Sequence, residues 1–145
     1  MRALIQRVKE ARVITKGKCV GEIKEGMLVL LGVKEGDTTE NIDYLVNKTI
    51  NLRIFNDNED KMNLSLLNTK GELLVVSQFT LYADCSRGRR PSYSEAANPE
   101  LAETLYEEFI EKIKKEEINV QSGVFGAHMD VELINDGPVT IMIEN

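Results

Sequence analysis

One short segment of the sequence, residues 27–33 (MLVLLGV), is almost continuously apolar and constrains the fold more than any other. Its length suits a strand rather than a helix, and a strand without alternating polar positions is typically buried on both faces. A second strongly apolar strand is predicted over residues 73–80. Strands of this kind require cover on both faces, so we expect a sheet with helices packed against it.

Further strands are predicted from shorter or alternating apolar segments. The last two flank Asn135-Asp136-Gly137-Pro138, which is a turn signal and predicts a hairpin. The further strands comprise residues 3–14, 19–23, 53–55, 129–134 and 139–143.

Two helices are predicted between the strands. Residues 37–40 (DTTE) resemble a capping box, and the first helix runs from there to about Asn51. Asn98 caps the second helix, with Pro99 in its first turn. The predicted buried stripes are Ile42, Leu45, Val46 and Thr49 in the first helix, and Ala102, Leu105, Tyr106, Phe109 and Ile113 in the second.

These elements predict a single domain over residues 1–145 with an α/β (α+β) fold: a barrel-like, mainly antiparallel β-sheet with two principal helices packed outside. The hydrophobic fraction of 42% is sufficient for a core. No apolar run is long enough to cross a bilayer, and the charges near Met1 are unlike those of a signal peptide. We therefore expect a cytoplasmic protein without a membrane partner.

The net charge of −6 argues against a protein that coats nucleic acid by bulk electrostatics. A local basic segment is nevertheless present at Arg87, Arg89 and Arg90. A run this short is usually a solvated loop, but it could also contact one end of an RNA.

The sequence lacks the common catalytic motifs. It has one histidine, His128, and no phosphate-binding glycine loop, nucleophile elbow or zinc-protease signature. No cluster has the ligand spacing of a metal site, so we expect neither a metal nor a cofactor. If the chain is an enzyme, it works without a conspicuous acid–base apparatus.

Polar residues interrupt the second apolar strand at Ser77, Gln78 and Thr80. In a regular strand Ser77 and Phe79 would point to one face, and Gln78 and Thr80 to the other. Either the strand bends here, or a site uses backbone N–H groups beside one or two side chains, as in an oxyanion hole. A third reading is that the hydroxyl groups only bond within the sheet end.

Several segments resemble signature sequences of the D-aminoacyl-tRNA deacylases (the D-tyrosyl-tRNA deacylase family). They occur in the family's order, and the resemblance extends along the whole chain. The one departure noted is Tyr93, where a phenylalanine is expected, so an aromatic ring is kept. The segments are residues 1–3 with 6–8, 77–81 (SQFTL), 87–93 (RGRRPSY) with Ala96 and Ala97, 125–129 (FGAHM) and 135–140 (NDGPVT).

The resemblance implies a homodimeric hydrolase with a pocket at the subunit interface. It would cleave the ester between a D-amino acid and the terminal ribose of tRNA, and family members also remove glycine from alanine tRNA. The implied catalytic residues are Ser77, Gln78, Phe79 and Thr80, and the implied substrate-binding residues are Phe125 and Met129. For chiral selection, a cis Gly137-Pro138 bond would reach into the partner's pocket, held in place by Arg7, while Arg87, Arg89 and Arg90 would contact the tRNA.

Two mechanisms are consistent with these residues. In the first, the 2′-hydroxyl of the ribose assists hydrolysis, and backbone N–H groups near Phe79 and Thr80 stabilise the oxyanion. In the second, Thr80 is a covalent nucleophile. Two other functions stay open from the residues alone: a non-catalytic RNA-end-binding module and a general esterase that needs no RNA.

Overall fold

The computed structural model describes residues 1–145, with eight strands, three α-helices and one 3₁₀ turn. Six strands form one mixed sheet around the long strand β1, which pairs with β3, β2 and β8; β6 and β7 continue the sheet beyond β3. The elements are β1 (Arg2–Thr15), β2 (Lys18–Ile23), β3 (Gly26–Gly32), α1 (Thr39–Asn51), β4 (Phe55–Asn56), β5 (Met62–Leu64), α2 (Leu66–Thr69), β6 (Glu72–Ser77), the 3₁₀ turn (Phe79–Tyr82), α3 (Pro99–Lys114), β7 (Val120–Ser122) and β8 (Asp130–Glu144).

The sheet is nearly closed and barrel-like. β1 pairs antiparallel with β2, β3 and β8, whereas the β3–β6 and β6–β7 pairs are parallel. The predicted fold class, one α+β domain with a barrel-like sheet and two principal helices outside it, is confirmed. None of the helices has the length and apolar character that crossing a membrane requires.

The core lies on both faces of β3, as its apolar sequence predicts. Val29 and Leu31 belong to a large cluster that fills the space between the sheet and helices α1 and α3. Leu28 belongs to a second cluster, with Leu74 and Val76 of β6. Because both faces are covered, every side chain of this strand can be apolar.

Both long helices begin close to the predicted positions. The N-cap of α1 is Thr38, and its capping box closes with Asn41 instead of Glu40. The side chain of Asn98 caps α3 by accepting the N–H of Leu101 at 3.0 Å. The predicted buried stripes are confirmed except at Ala102, which is half-buried.

The predicted hairpin at residues 135–138 is wrong. β8 is a single strand that pairs with β1 on both sides of this segment, from Val8↔Asn135 to Gln6↔Thr140. The intervening residues form a bulge. Bulges and hairpin turns favour the same residue types, so the local sequence does not distinguish them.

The strand predicted over residues 73–80 ends early, at Ser77. Gln78 leaves the extended conformation with φ −145° and ψ 79°, and the Phe79–Tyr82 turn follows. The short elements β5, α2 and β7 were not predicted, because three or four residues are too few to show a periodicity.

Candidate active site

An apolar cavity of about 500 Å³ opens where β6 ends. Its wall includes Ser77, Gln78 and Phe79 from the end of β6, and Phe125 and Met129 from the segment before β8. The structure therefore brings together five residues that the sequence analysis assigned to one site. Thr80 does not line this cavity, and it follows in the turn.

The chain bends at the polar residues, as one of the three readings of this segment expects. The backbone N–H of Gln78 still bonds the Leu31 carbonyl at 2.8 Å, as a continuing strand would. Hydrogen bonds inside the turn begin with Leu81, whose N–H donates to the Gln78 carbonyl at 3.2 Å. The N–H groups of Phe79 and Thr80 precede that bond, so they have no carbonyl partner within the turn.

The hydroxyl of Thr80 is engaged by its neighbour. The side-chain amide of Gln78 donates to Oγ1 of Thr80 at 2.5 Å. Both side chains are half-buried. An amide does not take up a proton at neutral pH in either orientation, so this contact orients the hydroxyl without activating it as a nucleophile.

A buried tyrosine supports the cavity wall from behind. The hydroxyl of Tyr106 donates to the Val75 carbonyl at 2.9 Å, two residues before Ser77. Its ring lies 5.8 Å from that of Phe125. Burial raises the pKa of Tyr106 to about 12, so the phenol stays protonated and remains a donor.

The cavity contains no buried acid or base. Among its lining residues only His128 has an ionisable side chain, and that side chain is 96% exposed. Its nearest carboxylate, that of Asp130, is 3.9 Å away. No group of three or more His, Cys, Asp or Glu side chains is arranged to hold a metal ion.

Arg7, Gly137 and Pro138 lie together but outside the apolar cavity. Arg7 is 7% exposed, and its Nε lies 3.2 Å from the Asp136 carbonyl oxygen and 3.1 Å from the Asp136 carboxylate. Its Nη1 donates to the Ile54 carbonyl at 2.5 Å. The Gly137-Pro138 peptide bond is cis, and both residues are exposed.

We call Gly137 and Pro138 the Gly-Pro motif. The side chain of Asn135 spans the bulge that contains this motif. Its Oδ1 accepts the N–H of Val139 at 2.9 Å, and its Nδ2 donates to the Val139 carbonyl at 3.1 Å. Gly137 has φ +127°, and a Cβ there would lie 3.0 Å from Nη2 of Arg7. The motif is therefore held closely from both sides, and glycine is needed at this position.

Residues 84–92, which we call the arginine hairpin, follow the Phe79–Tyr82 turn in the chain. Asp84 and Ser92 exchange backbone hydrogen bonds of 2.8 and 2.9 Å, and the exposed residues Arg87, Arg89 and Arg90 lie between them. The N–H of Ser86 bonds the Asp84 carboxylate and lowers its pKa.

The hairpin joins the cavity through two aromatic residues. The ring of Tyr93, which follows the hairpin, meets the ring of Phe79 edge-on at 5.0 Å. Sequence reasoning did not assign site roles to Tyr106 and Asn135. Tyr106 was recognised as part of the buried stripe, and Asn135 as part of a turn and of the signature segment 135–140. Their contacts were not foreseen, because the partners are distant in sequence or depend on the bulge.

The cavity has polar groups at the bent end of a strand and no buried base. Such a site is suited to an enzyme that positions a substrate that is already reactive. Residues 4–144 match the family model described as D-Tyr-tRNA(Tyr) deacylase, and the chain belongs to this family. It is therefore a hydrolase that acts on the ester bond of aminoacyl-tRNA. The family membership implied by the resemblance is confirmed. The hypothesis of a non-catalytic RNA-end-binding module is wrong.

Individual relatives agree over nearly their full length. The chain is 61% identical over 146 residues to the D-aminoacyl-tRNA deacylase of Thermosipho melanesiensis, covering 100% of this chain and 97% of the relative. It is 60% identical over 145 residues to that of Thermosipho africanus, with the same coverage. A solved structure titled c-Myc DNA Unwinding Element Binding Protein is similar, with a TM-score of 0.94, 39% identity and coverage of 100% and 99% of the two chains.

Proposed function

We propose that this chain is a homodimeric, cytoplasmic editing enzyme that removes D-amino acids from mischarged tRNA. It also removes glycine attached to alanine tRNA. It releases the free amino acid and intact tRNA, and it rejects L-aminoacyl-tRNA through the Gly-Pro motif, Gly137 and Pro138.

The observation that supports this function most strongly is a cavity without a buried base, bordered by Ser77, Gln78 and Phe79. An aminoacyl ester is an activated bond, so the enzyme need only orient it and stabilise the developing oxyanion. The N–H groups of Phe79 and Thr80 are suited to that role, since they have no carbonyl partner within the turn. The neighbouring ribose 2′-hydroxyl assists the hydrolysis.

Catalysis by Thr80 as a covalent nucleophile is disfavoured by its surroundings. A hydroxyl nucleophile needs a general base within hydrogen-bond reach. The partner of the Thr80 hydroxyl is the amide of Gln78, which cannot take its proton. We therefore favour the mechanism in which the RNA hydroxyl takes part.

Handedness is read by main-chain geometry in this proposal. The two enantiomers carry the same groups, so affinity for a side chain cannot separate them. A fixed wedge that blocks the direction of an L side chain can separate them, and glycine passes because it has no side chain. The contacts of Arg7 and Asn135 hold the Gly-Pro motif in the way such a wedge requires.

A second copy of the chain is needed for that selection. The Gly-Pro motif does not line the cavity of its own chain. β8 also exposes apolar side chains: Ile134 is 50% exposed and Met142 is 47% exposed. A homodimer would cover such side chains and bring the motif of one subunit to the cavity of the other.

The central experiment compares D-tyrosyl-tRNA, L-tyrosyl-tRNA and glycyl-tRNA(Ala) as substrates of the purified protein. We expect cleavage of the first and third only. Equal cleavage of the D and L substrates, or of neither, would reject the proposal. The same D substrate ending in 2′-deoxyadenosine should resist cleavage, whereas its unchanged hydrolysis would exclude help from the RNA hydroxyl.

The dimer is tested by light scattering on two matched variants. Met142→Lys places a charge on the exposed side of β8, and Met62→Lys places one on β5, where Met62 is 58% exposed. We expect Met142→Lys alone to produce monomers and to lose activity. An intact, active Met142→Lys dimer would exclude this surface as the interface.

A further inference from the structure

We propose that Arg2, paired with Glu144, is a positioning residue that holds the Phe79–Tyr82 turn in the geometry that ester hydrolysis requires. This inference rests on the proposed role of the turn as the source of oxyanion donors. It gives a function to a residue that touches neither the apolar cavity nor the Gly-Pro motif.

Arg2 binds the turn through two different contacts. Its Nη1 donates to the Leu81 carbonyl at 2.8 Å. Its guanidinium carbon lies 4.5 Å from the ring centroid of Tyr82, which is 3% exposed. The side chain of Glu144 fixes the guanidinium from the far side, with Nε and Nη2 each 2.9 Å from one carboxylate oxygen. One arginine therefore joins β1, β8 and the turn.

The carbonyl of Leu81 needs this donor, because the turn does not continue. The N–H of Asp84, which would extend a 3₁₀ turn to that carbonyl, donates to Ser92 at 2.8 Å. The turn also packs on Gly32, the residue of β3 that pairs with Arg2: a Cβ there would lie 3.1 Å from the Gln78 carbonyl oxygen and 3.2 Å from Cβ of Leu81. Arg2 and Gly32 thus both contact the turn, from neighbouring positions on β1 and β3.

A small movement of this turn has a large chemical consequence. The Leu81 carbonyl lies two peptide units after the N–H of Thr80 in the same short turn, so a shift of the segment that carries this carbonyl displaces the Thr80 donor with it. Donors aimed at an oxyanion act only within a narrow range of distances. A displacement on the order of 1 Å in a positioned group can reduce a rate about 100-fold.

The chain contains a matched control for Arg2. Arg12 and Glu132 also join β1 to β8, as directly opposed residues, just as Arg2 and Glu144 do. Nε and Nη2 of Arg12 lie 2.6 Å from the Glu132 carboxylate. Its hydrogen-bond and salt-bridge partner is that carboxylate and no group of the turn. The side chains of Arg12 and Glu132 are each 50% exposed, so solvent screens this pair and its loss should change stability little.

The kinetic test compares Arg2→Met, Arg2→Lys and Arg12→Met, all as full-length protein acting on D-tyrosyl-tRNA. Methionine keeps an apolar stem but donates no hydrogen bond. We expect Arg2→Met to lower kcat about tenfold with KM nearly unchanged, because the turn is displaced at Leu81 and Tyr82, which do not line the cavity. Arg2→Lys, which keeps a positively charged donor group, should recover part of the loss, and Arg12→Met should match the unmodified protein.

Amide hydrogen exchange gives a second readout that is independent of activity. The N–H groups of Leu81 and Ala83 bond within the turn at 3.2 and 3.0 Å. We expect both to exchange faster in Arg2→Met than in Arg12→Met. Unchanged exchange, or faster exchange without loss of kcat, would overturn the inference. Failure of the unmodified protein to cleave D-tyrosyl-tRNA would reject the proposed function instead, while exchange would still show whether Arg2 holds the turn.

Discussion

Replacing Arg7 by methionine tests whether the Gly-Pro motif is held by a buried guanidinium. Arg7 is 7% exposed and contacts four groups on three residues: the Asp136 backbone and side chain, the Ile54 carbonyl and the side chain of Asn56. Methionine fills part of the space but donates no hydrogen bond. We expect Arg7→Met to lower both the free energy of unfolding and the discrimination between D and L substrates.

The loss of stability can be estimated contact by contact. Ile54 is 3% exposed, so its carbonyl would be left without a donor and without water, at a cost of about 1–3 kcal/mol. The Asp136 side chain is 38% exposed, so losing its pair costs about 1 kcal/mol or less after solvent screening. Asn56 is exposed and can bond water instead. The total is about 1–4 kcal/mol.

The effect on selectivity follows from the position of the motif. Gly137 lies so close to Arg7 that a Cβ would be 3.0 Å from Nη2, so removing the guanidinium removes the surface against which the bulge is packed. Under the proposed function, a looser bulge would block the L side chain less completely. We expect cleavage of L-tyrosyl-tRNA to rise while cleavage of D-tyrosyl-tRNA is largely retained.

The assays are urea unfolding and hydrolysis of the two tyrosyl-tRNAs. Arg53→Met is the control, because Arg53 is exposed and its Nε donates to the Asn63 carbonyl at 2.9 Å. We expect this control to change the free energy of unfolding by about 0.5 kcal/mol or less. The reasoning is refuted if Arg7→Met and Arg53→Met unfold alike, or if Arg7→Met still rejects the L substrate as fully as the unmodified protein does.

Two further predictions concern the turn and the arginine hairpin. Thr80→Val removes the hydroxyl but keeps the backbone N–H, so we expect single-turnover hydrolysis of D-tyrosyl-tRNA to slow by about tenfold or less. A loss on the order of 1,000-fold, with the dimer intact, would instead identify Thr80 as the nucleophile. Arg87→Gln, Arg89→Gln and Arg90→Gln should each weaken tRNA binding, and each should reduce the slope of log affinity against log salt by about 1 if the residue contacts a phosphate. Equal slopes in the variants and the unmodified protein, measured by salt titration, would exclude phosphate contacts by the hairpin.

The fold could be predicted from the sequence wherever burial left a clear pattern. The apolar run that became β3 required cover on both faces, and the side chains of Leu28 and Leu31 pack into two different clusters. Asn98 and Pro99 specified the start of α3 through the preferences of a helix N-terminus. Such signals are local, so they need no knowledge of the partner elements.

The wrongly predicted hairpin shows that local sequence signals do not determine which strands pair. Asn135-Asp136-Gly137-Pro138 favours a reversal of the chain, and a bulge uses the same residue types. The choice depends on whether the flanking segments pair with each other or with a third strand. Both flanking segments pair with β1, and this pairing cannot be read from the residues of one sequence.

The candidate site was predictable in part. Polar residues at the end of an apolar strand indicated that the regular structure stops near Ser77, and the structure confirms a bend there. The form of the bend depends on the close approach of Gln78 to Gly32, which lies far away in sequence. The contact of Arg2 with Leu81 depends on the same three-dimensional arrangement.

The corrected topology of β8 strengthens the case for a rigid wedge. A hairpin tip at the edge of a sheet can fray, because one end of the paired segment is open. The Gly-Pro motif instead lies within a strand of 15 residues, with ladder pairs to β1 before and after it. Arg7 occupies the β1 position opposite the bulge, so the gap left by the missing ladder pair is filled by its guanidinium. A wedge fixed at both ends and supported from beneath can exclude an L side chain by shape alone, which a mobile loop could not do.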